Sequence, residues 1–141
     1  MKLGGKDMSD IDEHEGFKRT FKNNKLTLGL SIPFDNKQQN NIDFDEQLRL
    51  AQKAESLGFT SLSVRDNPLY SPHLGNVTTN YDPFVFLTYL SAFTSKIALG
   101  TGSTVATLRH PIHLAKSAAS LDLISNQRLL LGMATGDRSF E

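Results

Sequence analysis

Four short apolar runs, separated by segments with helical patterning, constrain the fold of this chain more than any other feature. The runs span residues 26–32, 60–64, 96–100 and 128–133, and each is predicted to be a strand. We interpret them as apolar throughout, as expected for parallel strands covered on both faces. Because neighbouring parallel strands need a crossover connection, usually a helix, the order β-α-β-α-β-α-β predicts an α/β fold with parallel strands.

The three intervening helices are marked by capping residues and by an apolar stripe. Asp is favoured at the N-cap, proline in the first turn and glycine just after the helix end. The candidate caps are, in chain order, Asp43 or Asp45, Gly58, Asp82 with Pro83, and His110 with Pro111. Apolar residues of the first helix fall three positions apart at Leu48, Ala51, Ala54 and Leu57. This spacing predicts one buried stripe.

The connections that follow the predicted strands are long, and those that follow the helices are short. Residues 33–41, 65–81 and 102–109 lead from strand to helix. In parallel α/β folds, the loops after the carboxyl ends of the strands carry the functional site. We therefore expect a site at that edge of the sheet.

The stretch LGTGSTVATLRHP, residues 99–111, places two glycines at the end of the third predicted strand. It is a poor dinucleotide fingerprint, because the third glycine is missing and Pro111 delays the start of the helix. A plain turn, in which glycine permits a sharp backbone path, explains the pair without any ligand. A bare backbone flanked by hydroxyl groups could equally receive a flat, hydrogen-bonding ring.

The fourth predicted strand ends in a similar way, with GMATGDR at residues 132–138. Two successive strands that end in small, hydroxylated loops suggest one shared floor for a planar ligand. After the second strand, Arg65 and Asp66 either face the mouth of a pocket or form internal pairs, and the residues alone favour neither.

Composition and charge exclude several functional classes. The net charge is zero and the pI is near 6.9, so nothing indicates binding to nucleic acid or to anionic lipid. No apolar run approaches the roughly 20 residues needed to span a bilayer, and no secretory signal is evident. The chain has no cysteine, and His110 and His113 lack a third metal ligand nearby in sequence. We expect a cytoplasmic protein without a metal site or a membrane partner.

Several motifs together resemble the bacterial luciferase-like monooxygenases. They are AESLGFTSLSV at 54–64, Asp82-Pro83, IALGTG at 97–102, Arg109-His-Pro111, Ala115-Lys116, Leu121-Asp122 and GMATG at 132–136. The resemblance covers about residues 26–141. It implies the N-terminal half of a (β/α)8 TIM barrel, with three β/α units and a fourth strand at 25–141. A polar, flexible segment at 1–24, with a short helix near Glu15–Phe21, precedes it.

The resemblance also implies where a flavin would lie. In this family the third strand ends in a bulge with a non-proline cis peptide, and the matching bond is Gly102–Ser103. The expected cofactor-binding residues are Thr101, Gly102, Ser103, Ala134, Thr135 and Gly136. Ser31 and Phe34 are expected on the substrate side.

The sequence departs from the luciferase pattern at two positions. Luciferases have a catalytic histidine where this chain has Asn67, and asparagine cannot act as a general base at neutral pH. Either the adjacent Asp66 serves as the base or the chemistry needs none, so light emission is not implied. Residues 125–128 lack the usual glycines, and Asn126 is expected to adopt the left-handed conformation instead.

The implied function is a monooxygenase that uses reduced FMN and oxygen on a small organic substrate. A separate flavin reductase is an expected partner, and a homodimer is a further expectation. The alternatives are a deazaflavin-dependent hydride-transfer oxidoreductase and a non-catalytic flavin-binding or interaction protein. Because a TIM barrel needs eight β/α units and about 250 residues, the chain is expected to be an N-terminal fragment.

Overall fold

The computed structural model describes residues 9–21, 25–32, 43–67 and 81–136. Two short helices come first, and strands alternate with helices after them. The elements are α1 Ser9–Asp12, α2 Glu15–Phe21, β1 Gly29–Ile32, α3 Phe44–Ser56, β2 Ser61–Val64, α4 Pro83–Ser91, β3 Ala98–Thr101, β4 Thr104–Val105, a 3₁₀ turn Ala106–Leu108, α5 Pro111–Ile124, β5 Leu129–Leu130 and β6 Met133–Ala134. None of these helices is long and apolar enough to cross a membrane.

The main sheet is parallel, as the sequence predicts, with strand order β1-β2-β3-β5. A second parallel pair joins β4 to β6. The strand predicted at 128–133 is wrong in extent, because it is divided into β5 and β6. The strand predicted at 96–100 is found as β3, but the sequence did not predict its continuation as β4 at Thr104–Val105. The cause of the division is a bulge at the carboxyl edge, described below.

Burial differs between the strands, because β2 alternates and β3 is buried throughout. The expectation of strands covered on both faces is therefore confirmed for β3 and wrong for β2. Leu62 and Val64 of β2 are buried, whereas Ser61 and Ser63 between them are half-buried. The buried face packs against α3, α4 and α5 in one core that includes Leu87, Leu90 and Leu99. Helices α3, α4 and α5 thus cover one face, and the opposite face carries small, hydroxylated side chains such as Ser31, Ser61 and Ser63. This one-sided coverage is the arrangement of strands in a barrel wall.

The predicted caps are confirmed at all three helices. The Asp43 carboxylate accepts a hydrogen bond from the Glu46 N–H at 3.1 Å, and Gly58 has a φ of +87° after α3. The Asp82 carboxylate caps α4, whose first residue is Pro83. His110 Nδ1 accepts from the Ile112 N–H at 3.3 Å, so this histidine serves as an N-cap.

The predicted helix near Glu15–Phe21 is confirmed as α2, and it docks on the turn that leads into β5. The Gly16 N–H donates to the Gln127 carbonyl at 2.9 Å, and His14 Nε2 lies 2.9 Å from an Asp122 carboxylate oxygen. Asn126 has a φ of 58°, as predicted, and Gln127 follows with a φ of 60°. The division of the chain at residues 24 and 25 stays a prediction.

Two charged residues, Arg128 and Glu55, form hydrogen bonds with the main chain around the start of β3. Arg128 is 4% exposed, and its guanidinium donates to main-chain carbonyls of Ser91, Thr94, Ile97 and Ser125. Burial lowers the pKa of Arg128, and the negative charge of Glu55 opposes that effect.

The Glu55 carboxylate accepts hydrogen bonds from the N–H groups of Ser95 at 3.0 Å, Lys96 at 2.6 Å and Ile97 at 2.8 Å. Burial alone would raise the pKa of Glu55, but these hydrogen bonds and the Arg128 charge outweigh it and lower the pKa.

We expect Glu55→Gln to destabilise the protein by about 1 kcal/mol at pH 7, because the charge-assisted hydrogen bonds become neutral ones. The folded-state pKa of Glu55 is lowered, so its contribution is present above the ordinary value of 4.5 and is lost as the pH falls through the lowered value. Urea denaturation between pH 3 and 7 checks this. Asp45→Asn, at an exposed carboxylate on the same helix, is the control. A variant as pH-dependent as the wild type would contradict the expectation.

Candidate functional site

The chain changes direction at the carboxyl end of β3. The peptide bond Gly102–Ser103 is cis, as predicted. The Gly102 N–H donates to the Val64 carbonyl at 2.7 Å, which fixes this turn to the end of β2. Gly102 is exposed and Ser103 is half-buried, so a stretch of nearly bare backbone faces outward at this edge.

A β-bulge, which the resemblance also implied, separates the two halves of the divided strands. Pairing stops at Gly100 with Leu130 and resumes at Thr104 with Met133. Between these two pairs the chain advances four residues from Gly100 to Thr104, but only three from Leu130 to Met133. The one additional residue on the first side defines a bulge. Such an insertion bends the strand and aims the chain away from the ladder.

The Thr101 side chain closes the gap left by the bulge. Its hydroxyl donates to the Gly132 carbonyl at 2.7 Å and accepts from the Gly132 N–H at 2.9 Å. The Thr104 N–H donates to the same carbonyl at 2.8 Å. A Cβ atom at residue 132 would collide with the Thr101 carbonyl oxygen, so the close approach requires glycine. The buried Thr101 side chain thus links the start of the Gly102–Ser103 turn to Gly132.

The structure brings most of the predicted cofactor residues to one edge. Val105 pairs with Ala134, so the segments 101–105 and 132–135 lie side by side. Ala134 and Thr135 are exposed, and the Thr135 carbonyl accepts from the Thr107 hydroxyl at 2.9 Å. Ser31 is exposed near the end of β1, whereas Phe34 lies outside the described residues. Their contacts with a flavin or a substrate stay predictions.

The Asp66 carboxylate is fully engaged inside the protein. It accepts from the Val105 N–H at 3.1 Å and from the Arg109 guanidinium at 3.0 to 3.2 Å. The internal pair that the sequence left open therefore forms with Arg109, while Arg65 is exposed. Asn67 beside it is buried. Because Arg109 and Val105 occupy both oxygens of this carboxylate, neither oxygen is free to contact a substrate, which favours chemistry without Asp66 as the base.

Arg109 is the functional candidate that sequence reasoning missed. It donates to Asp66 and, at 2.8 Å, to Asp82, and its guanidinium lies 5.4 Å from the centre of the Phe84 ring. Burial alone would lower the pKa of Arg109, but the hydrogen bond to Asp82 and the charge of Asp66 outweigh it and raise the pKa. The sequence showed Arg109 only as part of the Arg109-His-Pro111 motif of the resemblance, directly before a helix cap.

Comparison with known proteins identifies the family. The family model of the luciferase-like monooxygenases matches residues 26–141. The oxygenase component of a flavin-dependent trigonelline monooxygenase from Acinetobacter baylyi is 39% identical over 98 residues, which cover 70% of this chain and 26% of that relative. The chain therefore spans about a quarter of the length of this curated relative.

Solved structures show the same fold. Monooxygenase RslO1 from Streptomyces bottropensis superposes with a TM-score of 0.65 at 31% identity, covering 77% of this chain and 32% of that one. The coenzyme F420-dependent tetrahydromethanopterin reductase from Methanopyrus kandleri gives 0.61 at 30% identity, covering 80% and 28%. The fold is the TIM barrel of these enzymes, and the described strands and helices form part of its wall.

We expect Thr101→Val to destabilise the protein by about 1–3 kcal/mol, because it removes both hydrogen bonds to Gly132 and leaves that N–H without its partner. Thermal unfolding measures the loss. Thr88→Val is the matched control, since the Thr88 hydroxyl only donates to the Phe84 carbonyl of its own helix. Equal stability of the two variants would show that the Thr101 bridge contributes little.

Proposed function

The chain belongs to the luciferase-like monooxygenase family, and from that premise we propose that it forms part of a flavin-dependent monooxygenase. The proposed reaction uses reduced FMN and oxygen on a small organic substrate. The observation that carries the proposal is the outward-facing backbone at Gly102–Ser103 beside the exposed Ala134 and Thr135. A separate flavin reductase as the source of reduced FMN is part of the same proposal.

The residues at this edge fit a planar ring. Gly102 has no side chain, and Ser103, Ala134 and Thr135 have small ones. The Thr101 hydroxyl, turned into the Gly132 bridge, leaves the outer face of the turn clear. A flat ring could therefore approach the backbone closely. The pairing of β4 with β6 brings the segments that carry the Ser103 and Thr135 hydroxyls side by side, where they could border the ring.

Bound reduced flavin would supply the electrons for oxygen activation, and the protein residues would hold the ring and order the site. Gly102 and Ser103 would support one face of the ring. Ala134, Thr135 and Gly136 would flank it, and Ser31 would border the substrate. Asp66 holds the turn through Val105, so we assign it no proton transfer.

A deazaflavin-dependent hydride transfer is the second candidate. The tetrahydromethanopterin reductase that shares the fold at 30% identity depends on coenzyme F420, a deazaflavin. The support described here, a bare turn with small neighbours, would fit either ring. The identity of the flavin therefore depends on the affinity of the complete protein for each.

Binding titrations of the complete protein with reduced and oxidised FMN and with F420 test the proposal. We expect FMN to bind at least about 10-fold more tightly than F420, a difference of about 1.4 kcal/mol. Tighter binding of F420 would favour the second candidate. The absence of binding to either ring would refute both.

We expect Ala134→Trp to weaken flavin binding at least about 100-fold, because the indole would occupy the space beside the turn. Ala134 is exposed, so stability should change by less than about 1 kcal/mol. Fluorescence titration with the preferred flavin measures the effect. Lys53→Trp, on the exposed side of α3, should bind as the wild type does. Unchanged affinity in Ala134→Trp would rule out this placement of the ring.

A further inference from the structure

Arg109 joins three parts of the carboxyl edge that are far apart in sequence. Its Nε and Nη2 atoms donate to the Asp66 carboxylate, and its Nη1 atom donates to Asp82. Asp66 follows β2, Asp82 caps α4, and Arg109 itself follows the 3₁₀ turn after β4. One guanidinium therefore connects the loops after two strands with the start of a helix.

Asp66 carries this connection to the cis turn. Its N–H donates to the Ser103 carbonyl at 3.3 Å, and its carboxylate accepts from the Val105 N–H at 3.1 Å. These two contacts lie on either side of Thr104. The segment that begins at the cis peptide is thus held at two points by one residue, and that residue is held by Arg109.

Burial makes the contact between Arg109 and Asp66 the more costly one to break. The Asp66 side chain is 6% exposed, against 24% for Arg109 and 39% for Asp82. A carboxylate buried to this degree needs a charged partner, and removing that partner from a buried pair is strongly destabilising. At the outer end, Asp82 divides its two oxygens between the helix cap and Arg109.

We propose that Arg109 is a positioning residue, which acts through Asp66 to set the orientation of the Gly102–Ser103 turn against the flavin ring. This inference rests on the proposed function, because it assumes that a flavin leans on the turn. The planar fork of arginine reaches both carboxylates at once, which the single ammonium of lysine cannot do in the same geometry. Arg109→Lys therefore keeps the charge and disturbs the orientation.

A purely structural ion pair would produce a different result. It would lower the stability of the variant and leave the bound flavin unchanged. A positioning residue changes the affinity for the ring and the visible circular dichroism of the bound flavin, because that signal reports the asymmetric surroundings of the ring. The test therefore combines both measurements with stability.

The experiment uses the complete protein carrying Arg109→Lys, with FMN and F420 as probes. Arg49→Lys is the matched control, since Arg49 forms a similar two-pronged pair with Glu46 on an exposed helix surface. Asp82→Asn keeps a good helix cap and removes only the outer charge, so it serves if Arg109→Lys folds poorly. Amide hydrogen exchange at Val105, without flavin, follows the contact with Asp66.

We expect Arg109→Lys to bind flavin about 10-fold more weakly with altered circular dichroism, and to speed exchange at Val105 about 10-fold. Asp82→Asn should change the flavin affinity, the circular dichroism and the Val105 exchange rate in the same direction but by less. Arg49→Lys should change none of the three. Unchanged affinity and dichroism would overturn the inference and leave the proposed function standing. Weaker binding with unchanged Val105 exchange would overturn the route through Asp66. A wild type that binds neither flavin would refute the proposed function and the positioning role together.

Discussion

Every strand pair in the described sheet is parallel, so each strand needs a return segment before the next can form beside it. The return helices α3, α4 and α5 all pack on one face, where Leu62, Leu87 and Leu99 form the centre of the core. Because the strands share a direction, all their carboxyl ends lie at one edge. Every candidate site residue that the structure describes lies at or near that edge.

The bulge after β3 leaves exposed backbone at this edge, on which a flat ring could rest. An ordinary ladder between the third and fourth strand positions would have left no outward-facing backbone. The extra residue breaks the ladder, and the Thr101 hydroxyl replaces the lost pairing by contacting both polar groups of Gly132. The turn at Gly102 is then held from β2, from Gly132 and, through Asp66, from Arg109. The contacts that hold the support thus come from several elements.

Local chemistry predicted the helix boundaries well. An aspartate, a proline or a glycine acts on its immediate neighbours, so Gly58 and Asp82 could be assigned without knowledge of the fold, while the structure decided for Asp43 over Asp45. The cis peptide was predicted from a family resemblance, since local propensity does not favour it. The divided strands were missed, because apolar runs at 96–100 and 128–133 do not reveal a shift of register between them. The positive φ at Gln127 was likewise missed.

The sequence by itself determined the parallel α/β architecture, the edge at which a site would lie and the small residues that leave the turn bare. Periodicity, capping residues and loop lengths are local patterns that extend over short stretches of sequence. They can therefore be read without knowing which distant residues meet in the fold. Only the tertiary structure decided that Asp66 pairs with Arg109, 43 residues away, and that the Thr101 hydroxyl meets Gly132, 31 residues away. Side chains so far apart in sequence meet only when the strands have assembled in the order β1-β2-β3-β5. That order decides that the positive charge of Arg109 lies beside the negative charge of Asp66.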